Sequence, residues 1–121
     1  VRGAYWNSEN KLGYLYTNKN DTDKNYNSGL KLLSNNYKKN YNILASHNDF
    51  SILLGLNINK GNKKKIFEFA HLLGMKERKY DYVKSTTEKV HVYIPYGPYK
   101  EMIPYLFRRL YENMDTIKYM I

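Results

Sequence analysis

Apolar positions along the chain fall in short blocks whose spacing switches between two and about 3.6 residues, the periods of strand and helix. Residues 1–6 form a brief apolar run, Val-Arg-Gly-Ala-Tyr-Trp, that reads as a buried strand. Residues 7–23 are polar, include Gly13 and an Asn/Asp/Lys cluster, and make a long connection. Asp21, Thr22 and Asp23 supply N-cap chemistry for a helix over 24–38, with Tyr26, Leu30, Leu33 and Tyr37 on the sheet-facing side. A second strand is predicted over 42–46, then a helix beginning at His47 that carries Phe50, Leu53, Leu54 and Leu56 and ends at Gly61-Asn62. A third strand follows over 65–70, with a short helical turn around Leu72–Met75. Residues 76–87 are polar and read as a surface loop, 89–94 alternate as a fourth strand, and Pro98 or Tyr99 opens the last helix. Four strand–helix repeats in this order predict parallel strands and α/β architecture, in one unit without solenoid repeats.

The last helix is amphipathic. Ile103, Leu106, Phe107, Leu110 and Met114 recur at helical spacing, and Tyr105, Arg108, Arg109 and Glu112 lie opposite. Adjacent guanidinium groups repel unless an anion or a carboxylate sits between them, and Glu112 is three and four residues on, within reach of both. The polar face is either a solvated surface or a seat for a small carboxylate ligand with an apolar body. Spacing alone leaves both readings open.

Composition narrows the partners. The formal net charge is +9, but the lysines are dispersed among asparagines and tyrosines, and only Lys63-Lys64-Lys65 forms a run of three. That distribution argues against a nucleic-acid interface and leaves a basic binding module as a minor alternative. With no cysteine there is neither a disulfide nor a thiolate metal site, and three scattered histidines have no metal-ligand spacing. The longest apolar run, 50–56, is far shorter than a membrane span. At 121 residues the chain can hold one domain, yet it is well short of the roughly 250 residues of a (β/α)8 barrel.

Specific words along the chain change the balance. Tyr93-Ile94-Pro95-Tyr96-Gly97-Pro98, followed by Tyr105-Leu106 and then Arg108-Arg109 with Glu112-Asn113, resembles the C-terminal signature of proline dehydrogenases. Val1-Arg2-Gly3-Ala4-Tyr5-Trp6 with Ser8-Glu9 resembles that family's fifth barrel strand, and Ala45-Ser46-His47-Asn48 the end of its sixth. Phe69 with Leu72-Leu73-Gly74-Met75 resembles its seventh. The resemblance implies that residues 1–121 are a fragment, the C-terminal half of a distorted (β/α)8 catalytic barrel holding strands five to eight. It implies FAD as cofactor, L-proline as substrate, 1-pyrroline-5-carboxylate as product and a quinone as electron acceptor. The wording is closer to monofunctional eukaryotic members. It implies the matrix side of the mitochondrial inner membrane there, and a cytoplasmic or peripheral inner-membrane place in bacteria. Peripheral membrane association belongs to the full-length protein in either case. Without strands one to four the site is expected to be incomplete, and an inactive truncated remnant of the same family is the alternative.

The resemblance also assigns residues. Arg108 and Arg109 clamp the proline carboxylate, Glu112 holds the two arginines, and Tyr5, Leu72, Tyr93 and Tyr105 pack around the ring. Tyr93 is expected to crowd a hydroxyl at C4. Arg2, Gly3, Ala4, Ser46, His47 and Asn48 are expected at the flavin, with Gly3 and Ala4 small enough for close approach to the backbone. His71 and His91 receive no role, and no side chain is assigned as a catalytic acid or base. In a barrel such residues converge where strands end, and Ala4-Tyr5, His47-Asn48, Leu72 and Tyr93 all sit at predicted strand ends.

Overall fold

A computed structural model describes residues 9–36, 38, 40–86 and 88–112. The predicted first strand, over 1–6, lies outside the described residues. A single 3₁₀ turn, Asn10–Leu12, precedes helix α1, Lys19–Asn35. Strand β1, Asn42–Ala45, is followed by helix α2, Asp49–Lys60. Strand β2, Phe67–Leu72, is followed by helix α3, Glu77–Ser85. Strand β3, Val90–Tyr93, is followed by helix α4, Tyr99–Glu112. The strands lie in the order β1-β2-β3 and both pairings are parallel.

Local chemistry explains most boundaries. Asn18, not the Asp21–Asp23 cluster, caps α1, because its Oδ1 accepts the Asp21 N–H at 2.8 Å. The helix therefore starts five residues before the predicted Lys24, and Lys19 pairs with Asp23 at 2.9 Å one turn on. Asn48 caps α2 by accepting the Ser51 N–H at 3.0 Å. Asn59 sets the entry to β2: its Oδ1 accepts from the N–H groups of Ile66 and Phe67, both at 2.9 Å. That holds Ile66 before the ladder, so the strand runs two residues later than the pattern predicts. The Pro98 carbonyl accepts the Glu101 and Met102 N–H groups, which opens α4 where expected.

The polar stretch predicted as a loop over 76–87 instead forms α3. Only two of its residues are buried, Tyr80 and Val83, three apart and facing the sheet. Three helices cover one sheet face, with Leu30 of α1, Ile52 of α2, and Tyr80 and Val83 of α3 packed on Leu44, Phe67 and Phe69. Tyr26 packs beside them, whereas Leu33 is exposed and Tyr37 lies outside the described residues. The other face carries Ile43, Glu68, Ala70, Leu72, His91 and Tyr93 by alternation, and Ile43 and Tyr93 stand exposed there.

Candidate active site

Parallel pairing brings the C-terminal ends of all three strands to one edge of the sheet. That edge presents Ser46-His47-Asn48 beyond β1, Leu72 with the turn Leu73–Met75 at β2, and Tyr93 at β3. Helix α4 lies across the end of β2. Between them is a groove of about 270 Å³, walled on one side by Leu72, Leu73, Gly74 and Met75 and on the other by Ile103, Leu106, Phe107, Arg109 and Leu110. The residues lining the groove are apolar apart from Arg109.

Hydrogen bonds fix the β2 side of this groove. The Leu72 N–H donates to His47 Nε2 at 3.1 Å, and the Leu73 N–H donates to the Tyr93 carbonyl at 3.0 Å. The turn closes through the Met75 N–H on the Leu72 carbonyl at 2.9 Å and the Gly74 N–H on Glu77 Oε1 at 2.7 Å. Gly74 has φ +81°, a left-handed conformation that glycine adopts without a steric penalty. Beneath the turn His71 is buried, stacked on Tyr80 with ring centroids 4.2 Å apart. Its Nδ1 lies 3.1 Å from the Met75 carbonyl and 3.2 Å from that of Leu72. Sequence reasoning gave His71 no role, and nothing in strand alternation marks it as the support of this turn.

On α4, Arg109 lines the groove beside the apolar stripe, not opposite it as the helical wheel places it. Its guanidinium carbon stands 5.5 Å from the centroid of the Tyr105 ring, a cation–π contact one turn back. Arg108 is exposed and does not line the groove. Ile103, Leu106, Phe107 and Leu110 of the predicted stripe are exposed toward the groove and not buried in a core, and Met114 lies outside the described residues. Tyr93 pairs with Leu72 in the sheet and is 59% exposed beside the groove. Arg2, Gly3, Ala4 and Tyr5 lie outside the described residues, as does the side chain of Glu112.

The β1 exit combines a strand end with a helix N-terminus, a geometry that favours anions. Asp49, in the first turn of α2, opposes this, but Lys76 and Lys79 offset it at 3.2 and 3.8 Å. All three side chains expected at the flavin from this exit also serve the backbone, His47 through the Leu72 N–H on its Nε2. Ser46 Oγ accepts the Asn48 N–H at 3.1 Å, and Asn48 caps α2. Contacts to a ligand from this exit would come from His47 and from main-chain groups. That donor set fits an anionic or hydrogen-bond-accepting part of FAD.

The proline dehydrogenase family profile matches residues 1–120, nearly the whole chain. The chain belongs to the proline dehydrogenase family. It is similar to mitochondrial proline dehydrogenase 1 of Dictyostelium discoideum, 34% identical over 97% of this chain and 23% of that protein. It is likewise similar to mitochondrial proline dehydrogenase 2 of Arabidopsis thaliana, 40% identical over 93% of this chain and 27% of that protein. A hydroxyproline dehydrogenase of Xenopus laevis is 33% identical over 98% of this chain and 28% of that protein. The chain thus spans about a quarter of the length of these proline dehydrogenase family relatives. No solved structure matches it. Among the described residues no helix is long and apolar enough to cross a membrane.

Proposed function

We propose that this chain supplies strands five to eight, as residues 1–121, of a proline dehydrogenase barrel that oxidises L-proline to 1-pyrroline-5-carboxylate. The observation that carries this reading is the groove at the strand ends, which Leu72 and Arg109 line together in a member of this family. A proline ring is an apolar body with one carboxylate, and the groove offers an apolar wall that includes one arginine, Arg109. Arg109, in cation–π contact with Tyr105, holds the carboxylate through charge-assisted hydrogen bonds. Leu72 and Tyr93 pack against the ring, joined by Tyr5. Arg108 is a second carboxylate contact that α4 has to bring in from its exposed position, and Glu112 steadies the pair.

FAD, when bound, supplies the acceptor for the hydride that leaves proline. The residues proposed to hold it are His47 and the main chain around Ser46 and Asn48, together with Arg2, Gly3 and Ala4. A quinone as final acceptor, and a place at the mitochondrial inner membrane, extend the reading by analogy with relatives named as mitochondrial.

The test is Arg109→Ala in a complete barrel carrying this chain. The KM for proline should rise by about one to two orders of magnitude, the effect of losing one charged hydrogen bond. Flavin content should stay near wild type. Unchanged proline kinetics would remove Arg109 from the substrate site.

A further inference from the structure

The ladder between β1 and β2 has its last paired residues at Ala45 and Ala70. Beyond Ala45 the chain turns away through Ser46–Asn48 into α2, while β2 continues for two more residues to Leu72. The Leu72 N–H therefore points toward a side of the sheet from which the neighbouring backbone has departed. A main-chain donor left without an acceptor there would be costly, since Leu72 is only 6% exposed. The imidazole of His47 takes the place of the missing carbonyl, with Nε2 3.1 Å from the Leu72 nitrogen. A ring nitrogen accepts only when it carries no proton, so this contact sets the neutral tautomer with its proton on Nδ1.

The consequence reaches the groove. Leu72 is its wall, and the next N–H along, that of Leu73, is held from the opposite side by Tyr93. The end of β2 is thus gripped between a side chain from β1 and a carbonyl from β3, with Arg109 across the groove. We infer that His47 is a positioning residue for the substrate wall. Its Nε2 sets the place of Leu72, and with it the Leu72–Met75 turn, relative to Arg109. This role rests on the proline dehydrogenase reading and is separate from any contact that the Nδ1 edge of the ring makes with a cofactor.

Two amide substitutions divide the ring in half. In His47→Gln the side-chain oxygen reaches the position of Nε2 and can accept from Leu72, whereas in His47→Asn the shorter chain reaches only as far as Nδ1. In a complete barrel carrying this chain, three quantities are measured for wild type and both variants: flavin content, proline kinetics on the flavin-loaded fraction, and hydrogen exchange at the Leu72 amide. His47→Asn should raise the KM for proline about tenfold with a smaller change in kcat, the size expected for one lost hydrogen bond. The Leu72 amide should lose protection in the same variant. His47→Gln should recover most of the KM and the protection, whatever it does to flavin content. Equal KM effects in the two variants, or an Asn effect that disappears on the flavin-loaded fraction, would overturn the inference. Exchange at Leu72 does not depend on turnover. If no form oxidises proline but protection follows the Gln/Asn pattern, the functional reading fails and the His47–Leu72 link stands. If protection is the same in all three forms, the link itself is refuted.

Discussion

The buried hydroxyl of Tyr80 donates to the Ser46 carbonyl at 2.6 Å, a tie between α3 and the exit of β1 across 34 residues of chain. The same oxygen lies 2.9 Å from the Ala70 carbonyl, so one phenol serves two neighbouring strand ends. Burial pushes its pKa upward, which keeps it protonated as a donor throughout the neutral range. Tyr80→Phe preserves the stack on His71 but leaves both carbonyls short of a partner. The expected loss is about 1–2 kcal/mol, read from urea unfolding of a complete barrel carrying this chain. A variant as stable as wild type would show that water replaces the hydroxyl at no cost.

Gly55 sits where α2 crosses the sheet. A Cβ there would stand 2.5 Å from Leu44 Cδ1 and 3.2 Å from Phe69 Cε1, and both of those side chains are fully buried. Alanine gains up to about 1 kcal/mol of helix propensity over glycine, while overpacking a closed core costs about 1–3 kcal/mol. Gly55→Ala should therefore destabilise the protein on balance. A rise in its denaturation midpoint would mean that Leu44 can change rotamer freely.

Glu68 gathers three donors on the sheet face opposite α1, α2 and α3: the Tyr41 hydroxyl, His91 Nε2 at 2.5 Å and Lys89 Nζ at 3.1 Å. The Tyr41 hydrogen bond, followed by that from His91, lowers its pKa from 4.5 to about 2 against an opposing effect of desolvation, and Lys89 adds a smaller lowering. The folded state then binds fewer protons than the unfolded one near pH 3. The stabilisation is complete above the ordinary carboxylate range and disappears as pH falls through about 2. Glu68→Gln should flatten the melting temperature against pH within that acid window. A slope identical to wild type would assign the acid sensitivity to other carboxylates.

Tyr93 ends β3 directly opposite Leu72, at the side of the groove, and one relative of this chain is named as a hydroxyproline dehydrogenase. Under the proposed function, Tyr93→Ser should lower kcat/KM for proline and narrow its lead over 4-hydroxyproline. A shape contact of this kind shifts such a ratio by about tenfold to two-hundredfold. Kinetics with both substrates on wild type and variant decide it, and an unchanged ratio would place Tyr93 outside the substrate wall.

Much of this arrangement is legible in the amino-acid order, because strands and caps are local events. Alternation located all three described strands to within two residues, and the strand–helix order implied the parallel pairing that gathers His47, Leu72 and Tyr93 at one edge. The Pro98 start of α4 follows from the same short-range chemistry, whereas α2 starts at Asp49, two residues after the predicted His47, because Asn48 caps it. Family membership was also readable, since its words lie in Ala45–Asn48, Leu72–Met75 and Tyr93–Glu112 without reference to contacts.

Other features depend on which surfaces meet. Helix α3 was missed because only Tyr80 and Val83 mark its inner face, and their burial comes from a sheet that a nine-residue window does not contain. The helical wheel set Arg109 against the apolar stripe, but one residue is only about 100° of rotation. The groove straddles that boundary, so Leu110 and Arg109 line it together. Ser46 and Asn48 are expected at the flavin, and their oxygens also hold the main chain of the turn, a role that local order does not show. The sequence by itself therefore determined the three described strands, the helices α1, α2 and α4 to within a few residues, the parallel order and the family. Tertiary structure alone decided which arginine lines the groove with Leu72 and which histidine holds Leu72 in place, because hydrogen bonds 25 residues apart leave no trace in local periodicity.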